Sequence, residues 1–199
     1  MYELNNPLLE NIPCLRRYAR ALTNNNRLAD RAVQQCVDCA VDLQKLVIVN
    51  LGNAAERKIW MFSIFHNIYG EFIKEQESIG HQLNVDLSDN EVVTINPDNH
   101  FDNDEHCIAL MQLPLLQRQI FLLVSIEKFR YEEVARIVNL PLGAVLSLLH
   151  TARQSIAERV YAVHAQVLSG EAKDSDNIEP NPISAENDDA FKDRLEEIF

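Results

Sequence analysis

Charge is distributed in blocks along this 199-residue chain, and the blocks limit which parts of it can fold. Residues 1–74 carry nine Lys and Arg against seven Asp and Glu, whereas residues 75–107 carry nine acidic residues and no Lys or Arg. Residues 108–168 hold six basic and four acidic residues, and residues 169–199 hold three and ten. Like charges repel and resist packing, so the acidic blocks predict a linker and a mostly disordered tail.

This pattern predicts two small helical domains of an all-α protein, joined by a flexible acidic linker. The predicted boundaries are an N-terminal domain over 1–75, a linker over 76–107, a C-terminal domain over 108–168 and a tail over 169–199. The chain has only five Gly, and 47% of its residues are hydrophobic. This composition fits a mainly helical protein. The apolar runs are shorter than the roughly 20 residues of a membrane span, and the N-terminus lacks the pattern of a signal peptide. We therefore expect a cytoplasmic protein, with its four Cys as reduced thiols.

Apolar residues in the first block recur at helical spacing. They predict helices over 8–22, 28–43 and 54–73, with turns at the three consecutive Asn residues 24–26 and at Gly52-Asn53. The third helix interleaves aromatic residues with basic ones. Such a helix either stacks on unpaired bases while its cations bind phosphates, or packs its aromatics in a core beneath a solvated basic face.

The second block has the pattern of a helix-turn-helix motif. An apolar helix pair is interrupted at Leu113-Pro114, a helix is predicted over 131–138, and a turn over 139–143 leads into a longer helix over 142–164. A short turn followed by a longer amphipathic helix is typical of proteins that insert the second helix into the major groove of DNA. Any helical hairpin shows the same periodicity, so the pattern alone leaves both interpretations open.

No catalytic apparatus is visible in the sequence. The pair Cys36-x-x-Cys39 lacks the second Cys or His pair that a zinc site needs, and two thiols on one helix face explain it equally well. His100, His106 and Cys107 lie among acidic residues of the linker, where solvated charge is the simpler interpretation. Phosphate-binding glycine loops and nucleophile elbows are missing. We therefore predict no enzyme, no cofactor, no metal site and no catalytic residue.

Three stretches, in order, resemble the two-domain, extracytoplasmic-function (ECF) type of bacterial RNA polymerase sigma factors. The first runs from Leu15 to Gln35 and includes the element Leu28-Ala29-Asp30-Arg31-Ala32-Val33-Gln34-Gln35. The second has Trp60-Met61 followed by Ile64, His66-Asn67, Glu71 and Lys74. The third comprises Leu113-Pro114, Arg118, Phe121-Leu122-Leu123, Phe129, Tyr131, Glu133, Ala135, Leu140-Pro141, Gly143, Val145, Ser147 and Ala152-Arg153. The resemblance spans the chain from Pro13 to about Ile156, which is roughly three-quarters of its length.

The resemblance implies an alternative sigma factor that binds core RNA polymerase and directs promoter recognition and transcription initiation. By resemblance, the polymerase-binding residues are Asp30, Val33 and Gln34. The residues implied in promoter opening are Arg57, Lys58, Trp60, His66, Asn67 and Lys74. Those implied in reading the distal promoter element are Ala144, Ser147, His150 and Arg153, with Arg130 as a phosphate contact. The implied partners are core RNA polymerase, promoter DNA and an anti-sigma protein, and the acidic linker is expected to run through the polymerase channels that carry nucleic acid.

Departures from the family pattern lie at contact positions. Arg31 stands where the family has an acid, and Leu148 and Thr151 stand where Arg is common, so phosphate contacts are lost. These changes keep a second interpretation open. Some stress regulators carry a degenerate sigma-like domain that binds an anti-sigma protein without promoter recognition. Those regulators normally carry a receiver domain as well, for which the acidic tail is too short, and this favours the sigma factor.

Overall fold

The computed structural model describes residues 7–46, 53–82 and 105–171. Every regular element in these ranges is helical, which confirms the predicted all-α class. A single 3-10 turn, Leu9–Asn11, precedes the first α-helix. The α-helices are α1 (Ile12–Thr23), α2 (Asn26–Leu46), α3 (Ala54–Gln82), α4 (Glu105–Met111), α5 (Leu115–Ser125), α6 (Tyr131–Val138) and α7 (Leu142–Glu171).

The turn between α1 and α2 is built by the Asn residues that the sequence marks as a break. Asn24 ends α1 in the left-handed conformation at φ 46°, and its N–H donates to the carbonyl of Arg20. The Asn25 side-chain oxygen accepts hydrogen bonds from the backbone N–H groups of Arg27 and Leu28 at 3.0 and 3.1 Å. It therefore satisfies two of the donors that every helix N-terminus leaves open.

The α6–α7 pair has the geometry of a helix-turn-helix motif. Asn139 ends α6 in the left-handed conformation at φ 52°, and the chain then bends by 102° into α7. That angle lies within the 90–120° range of DNA-binding helix pairs. The observed limits of α6 are the predicted ones. Its C-terminal end is set by Asn139 in the left-handed conformation and by Pro141, which cannot continue a helix.

Helices reach further into the acidic blocks than predicted. We expected α3 to end near Ile73 and α7 near His164, but they extend to Gln82 and Glu171, and α4 already begins at Glu105. Glu, Gln and Lys are good helix formers, so negative charge alone does not end a helix that a folded domain nucleates. The described helices thus shorten the predicted linker of 76–107 at both ends. Residues 83–104 of the linker and 172–199 of the tail lie outside the described residues.

The two helical domains share one hydrophobic core. The ring of Phe62 on α3 lies 5.3 Å from that of Tyr18 on α1 and 5.0 Å, edge to face, from that of Phe129 in the loop between α5 and α6. Arg118 on α5 connects the two domains. Its guanidinium donates to the carbonyl of Leu22 in the N-terminal domain and to those of Met111 and Leu113 in its own domain. Among the described residues, no single helix is both long and apolar enough to cross a membrane.

The core predicts a large difference between two identical substitutions. Leu122 is fully buried, whereas Leu146 is 42% exposed. We expect Leu122→Ala to lower the free energy of unfolding by about 2–5 kcal/mol, because it removes buried methyl groups and leaves a cavity. The matched Leu146→Ala should change it by no more than about 0.5 kcal/mol. Urea denaturation followed by circular dichroism measures both, and equal effects would contradict the core described above.

Candidate nucleic-acid interface

The start of α7 exposes part of the face that the sequence predicts to contact DNA. Ser147 and His150 are exposed, whereas Ala144 and Arg153 are half-buried. The opposite side of the helix, which the sequence places inward, is buried at Val145, Leu149 and Ala152. Two of the four α7 residues predicted to read DNA are therefore fully available on the surface, and the other two are partly available.

The chemistry of this face is apolar and neutral rather than basic. The stretch from Leu142 to Ala152 contains no Lys or Arg. Leu142 and Leu146 lie one turn apart and are 38% and 42% exposed. Side chains of this kind contact base edges and thymine methyl groups, but they do not neutralise phosphates.

Arg130, the predicted phosphate contact before α6, is exposed but already has a carboxylate partner. Its guanidinium donates to Glu133 Oε1 at 2.9 Å, and its backbone N–H donates to Glu133 Oε2 at 2.8 Å. The side-chain hydrogen bond with Glu133 raises the pKa of Arg130 above its ordinary value. A capping pair of this kind fixes the start of α6 and offsets part of the positive charge that DNA would meet.

On α3, the residues predicted to open the promoter differ in their exposure to solvent. Asn67 is exposed, and Arg57 and Trp60 are half-buried. His66 is half-buried: its ring bonds with the Gln119 side chain of α5, and its Nδ1 has no hydrogen-bond partner within the described residues. Burial lowers the pKa of His66 below its usual 6.5, and the hydrogen bond with Gln119 opposes this effect. The side chain of Lys74 lies outside the description.

Lys58 has a partner that the sequence did not indicate. Its ammonium lies 2.9 Å from Glu127 Oε2 and donates to the Glu127 carbonyl at 3.2 Å. Glu127 also accepts from the Arg17 guanidinium at 2.9 and 3.1 Å. The Glu127 side chain is completely buried, while the side chain of Lys58 keeps 25% exposure. No local signal marks Glu127, because in the sequence it is one acid in a loop between two helices.

Of the three α2 residues predicted to bind polymerase, two lie at the surface and one lies in the core. Asp30 is half-exposed and lies 3.1 Å from the Arg16 guanidinium and 3.8 Å from that of Arg20. Gln34 donates to Asp38 at 3.0 Å on the helix surface. Val33 is only 3% exposed, so its side chain belongs to the core. The available part of the predicted contact surface is therefore Asp30 and Gln34.

Cys36 has the surroundings of a packing residue. Cys36 is buried with its Sγ 3.8 Å from Met61 Sδ, and burial raises the pKa of its thiol to about 12. Burial therefore disfavours the thiolate that redox chemistry and metal binding require. Over 7–46, 53–82 and 105–171, no group of three or more His, Cys, Asp or Glu residues is arranged to hold a metal ion.

Comparisons with known proteins agree with this architecture. Residues 8–66 match the family model of the Sigma2 domain of PhyR, and residues 109–156 match that of Sigma-70, region 4. The ECF RNA polymerase sigma factor EcfG of Rhodopseudomonas palustris (strain TIE-1) is 26% identical over 167 residues, which cover 82% of this chain and 88% of the relative.

Two solved structures from Bartonella quintana are similar. One is the sigma factor RpoE in complex with the anti-sigma factor NepR, with a TM-score of 0.60 and 27% identity over 77% of this chain and 94% of that one. The other is the anti-anti-sigma factor PhyR complexed with NepR, with a TM-score of 0.52 and 22% identity over 79% of this chain and 51% of that one, which indicates the fold alone.

A Sigma2 domain followed by a region 4 helix-turn-helix domain is the composition that the resemblance implied, and the prediction is confirmed. These similarities support an RNA polymerase sigma factor of the ECF type.

The surroundings of His66 predict a pH dependence of stability. Its pKa in the folded protein is lower than in the unfolded chain, so as pH falls through about 6.5 the unfolded state takes up the proton first. The stabilisation is therefore present above that pH and is lost as pH falls towards the folded-state pKa. We expect the melting temperature of the wild type to drop more between about pH 7.5 and about pH 5.5 than that of His66→Gln. Parallel pH profiles of the two proteins would contradict this assignment.

Proposed function

We propose that the chain directs core RNA polymerase to promoters, with the Sigma2 domain binding the polymerase and opening the DNA and the region 4 domain reading the distal promoter element. The observation that carries the proposal is the exposure of Ser147 and His150 at the start of a helix that follows a 102° turn. A helix so placed enters the major groove with its N-terminal residues against the base edges. The chain supplies specificity and no chemistry of its own.

Polymerase binding is assigned to the α2 surface, where Asp30 and Gln34 are available. Asp30 is already paired with two guanidinium groups, so a polymerase contact there exchanges one set of ionic partners for another. Such exchanges change association rate and partner choice more than folding. Promoter opening is assigned to α3, whose Asn67 is exposed beside the half-buried Trp60 and Arg57.

An anti-sigma protein is the proposed regulator. The similar RpoE structure is a complex with the anti-sigma factor NepR, and this chain matches 94% of that sigma factor's length. The exposed Leu142 and Leu146 on α7 add apolar area that suits a protein partner. Because such regulation acts on a factor that must reach the polymerase, we place the protein in the cytoplasm.

Reconstituted transcription tests the proposal. Purified protein is mixed with core polymerase and fragmented genomic DNA of the same host, and transcript starts are sequenced. We expect discrete starts that share one upstream motif, because the factor alone selects them. A pattern identical to that of core polymerase without the protein would contradict the proposed function.

The recognition helix is tested by a charge change at His150. We expect His150→Glu to lower transcription from the identified promoters about tenfold, because an acid on this face repels phosphates and removes a base contact. Core polymerase binding, measured in parallel by gel filtration, should remain unchanged. His106→Glu, the same substitution on α4, serves as the control and should retain activity. Equal activity of both variants would remove His150 from the DNA interface.

A second candidate, a sigma-like regulator that binds an anti-sigma factor without reading DNA, is favoured by one observation. The recognition face between Leu142 and Ala152 has no Lys or Arg, and phosphate contacts dominate DNA affinity. The match of residues 8–66 to the Sigma2 domain of PhyR points the same way. A protein that captures a purified anti-sigma factor but yields no transcript starts would support this candidate.

A further inference from the structure

The contact between the two domains contains a fully buried carboxylate. Glu127, in the loop between α5 and α6, accepts two hydrogen bonds from Arg17 on α1 and lies 2.9 Å from the Lys58 ammonium on α3. The anion thus comes from the C-terminal domain and both cations come from the N-terminal domain. A buried charge is tolerated only when it is paired, so this contact depends on all three groups.

Aromatic rings enclose the ion pair on one side. The Lys58 ammonium lies 4.7 Å from the centre of the Phe129 ring and 5.6 Å from that of Phe62, and the two rings pack edge to face at 5.0 Å. Cation–π attraction and exclusion of water both strengthen the hold on this ammonium. Lys58 is therefore bound by the C-terminal domain through a carboxylate, a carbonyl and a ring.

A second ion pair joins the same two domains further along α3. The Arg136 guanidinium of α6 donates to both carboxylate oxygens of Glu56, at 3.1 and 2.6 Å, and both side chains are about half-exposed. His66, bonded to Gln119 of α5, adds a third link along the same helix. We call this packing of α1 and α3 against α5 and α6 the closed arrangement.

Lys58 is one of the residues assigned to promoter opening, and in the closed arrangement its ammonium is already paired with Glu127, although the side chain keeps 25% exposure. A phosphate and a carboxylate are both anions that accept hydrogen bonds from ammonium and guanidinium groups. DNA that reached Lys58 and Arg17 would bring a phosphate to the place that Glu127 occupies. The carboxylate must leave for a phosphate to take this place, because two anions cannot occupy the same position between the two cations.

We propose that Glu127 is an internal competitor of promoter DNA: its carboxylate occupies Arg17 and Lys58, holds the domains in the closed arrangement, and must leave before the phosphate backbone binds these cations. This inference rests on the proposed function, since it assigns a regulatory role to the same α3 surface. Glu127 is a positioning residue in this scheme and touches no DNA itself.

Three identical substitutions test the competition. Glu127→Gln removes the buried anion, and Glu56→Gln weakens the peripheral ion pair. Glu132→Gln is the control, because Glu132 is exposed on α6. All three variants change the net charge equally. The probe is a fluorescein-labelled single-stranded oligonucleotide, followed by anisotropy across a salt series. We expect Glu127→Gln to bind several-fold more tightly than the control, with Glu56→Gln between them.

The salt series separates a specific contact from a general charge effect. If Arg17 and Lys58 both gain a phosphate, the slope of log affinity against log salt should steepen by about 0.7 for each, whereas Glu132→Gln should keep the wild-type slope. Small-angle scattering should show a larger radius of gyration for Glu127→Gln than for the control. Circular dichroism establishes whether the helices remain, and if Glu127→Gln loses them, the exposed Glu56→Gln carries the test.

The outcomes distinguish this inference from the proposed function. Transcript starts with the wild type, together with equal DNA affinity of Glu127→Gln and Glu132→Gln, would overturn the competition and leave the sigma factor function standing. Absence of starts and of DNA binding for every variant would overturn both.

Discussion

The buried carboxylate of Glu127 determines how the two domains meet. Its distance of 2.9 Å from both the Arg17 guanidinium and the Lys58 ammonium fixes the α5–α6 loop against α1 and α3 at once. An ionised acid without exposure is costly unless it is paired with cations, so the contact depends on Arg17 and Lys58. The shared core around Phe62 lies directly beside this contact, with the Lys58 ammonium 5.6 Å from the centre of the Phe62 ring.

Helices were the most predictable part of the molecule, because their signals are local. The consecutive Asn residues at 24–26 end one helix and cap the next, and Asn139 followed by Pro141 terminates α6 where expected. The end of α3 was less predictable. Acidic residues after Lys74 mark the start of a charged block, yet they are also good helix formers, and charge pattern does not separate these two roles.

Of the candidate site, the sequence predicted only which side chains lie on the same face of one helix. Helical spacing correctly placed Ser147 and His150 on the open face of α7 opposite Val145 and Ala152. It does not reveal whether a polar face meets water or another domain. The resemblance implied roles for Lys58 and His66 in promoter opening, and only the structure reveals that they also pair with Glu127 and Gln119, each from a distant point in the sequence.

The recognition helix separates specificity from affinity. Between Leu142 and Ala152 it presents hydroxyl, imidazole and aliphatic groups, which discriminate between base pairs but release no condensed counterions. Affinity for DNA must then come from cations elsewhere: Arg130 and Arg153 in the same domain, Lys58 and Arg17 once Glu127 is displaced, and the polymerase itself. Under the proposed function and the proposed competition by Glu127, such a factor is expected to bind DNA weakly when alone and more strongly in the complex with polymerase. The neutral recognition face is thus compatible with promoter reading, provided that the polymerase supplies the electrostatic part of the binding energy.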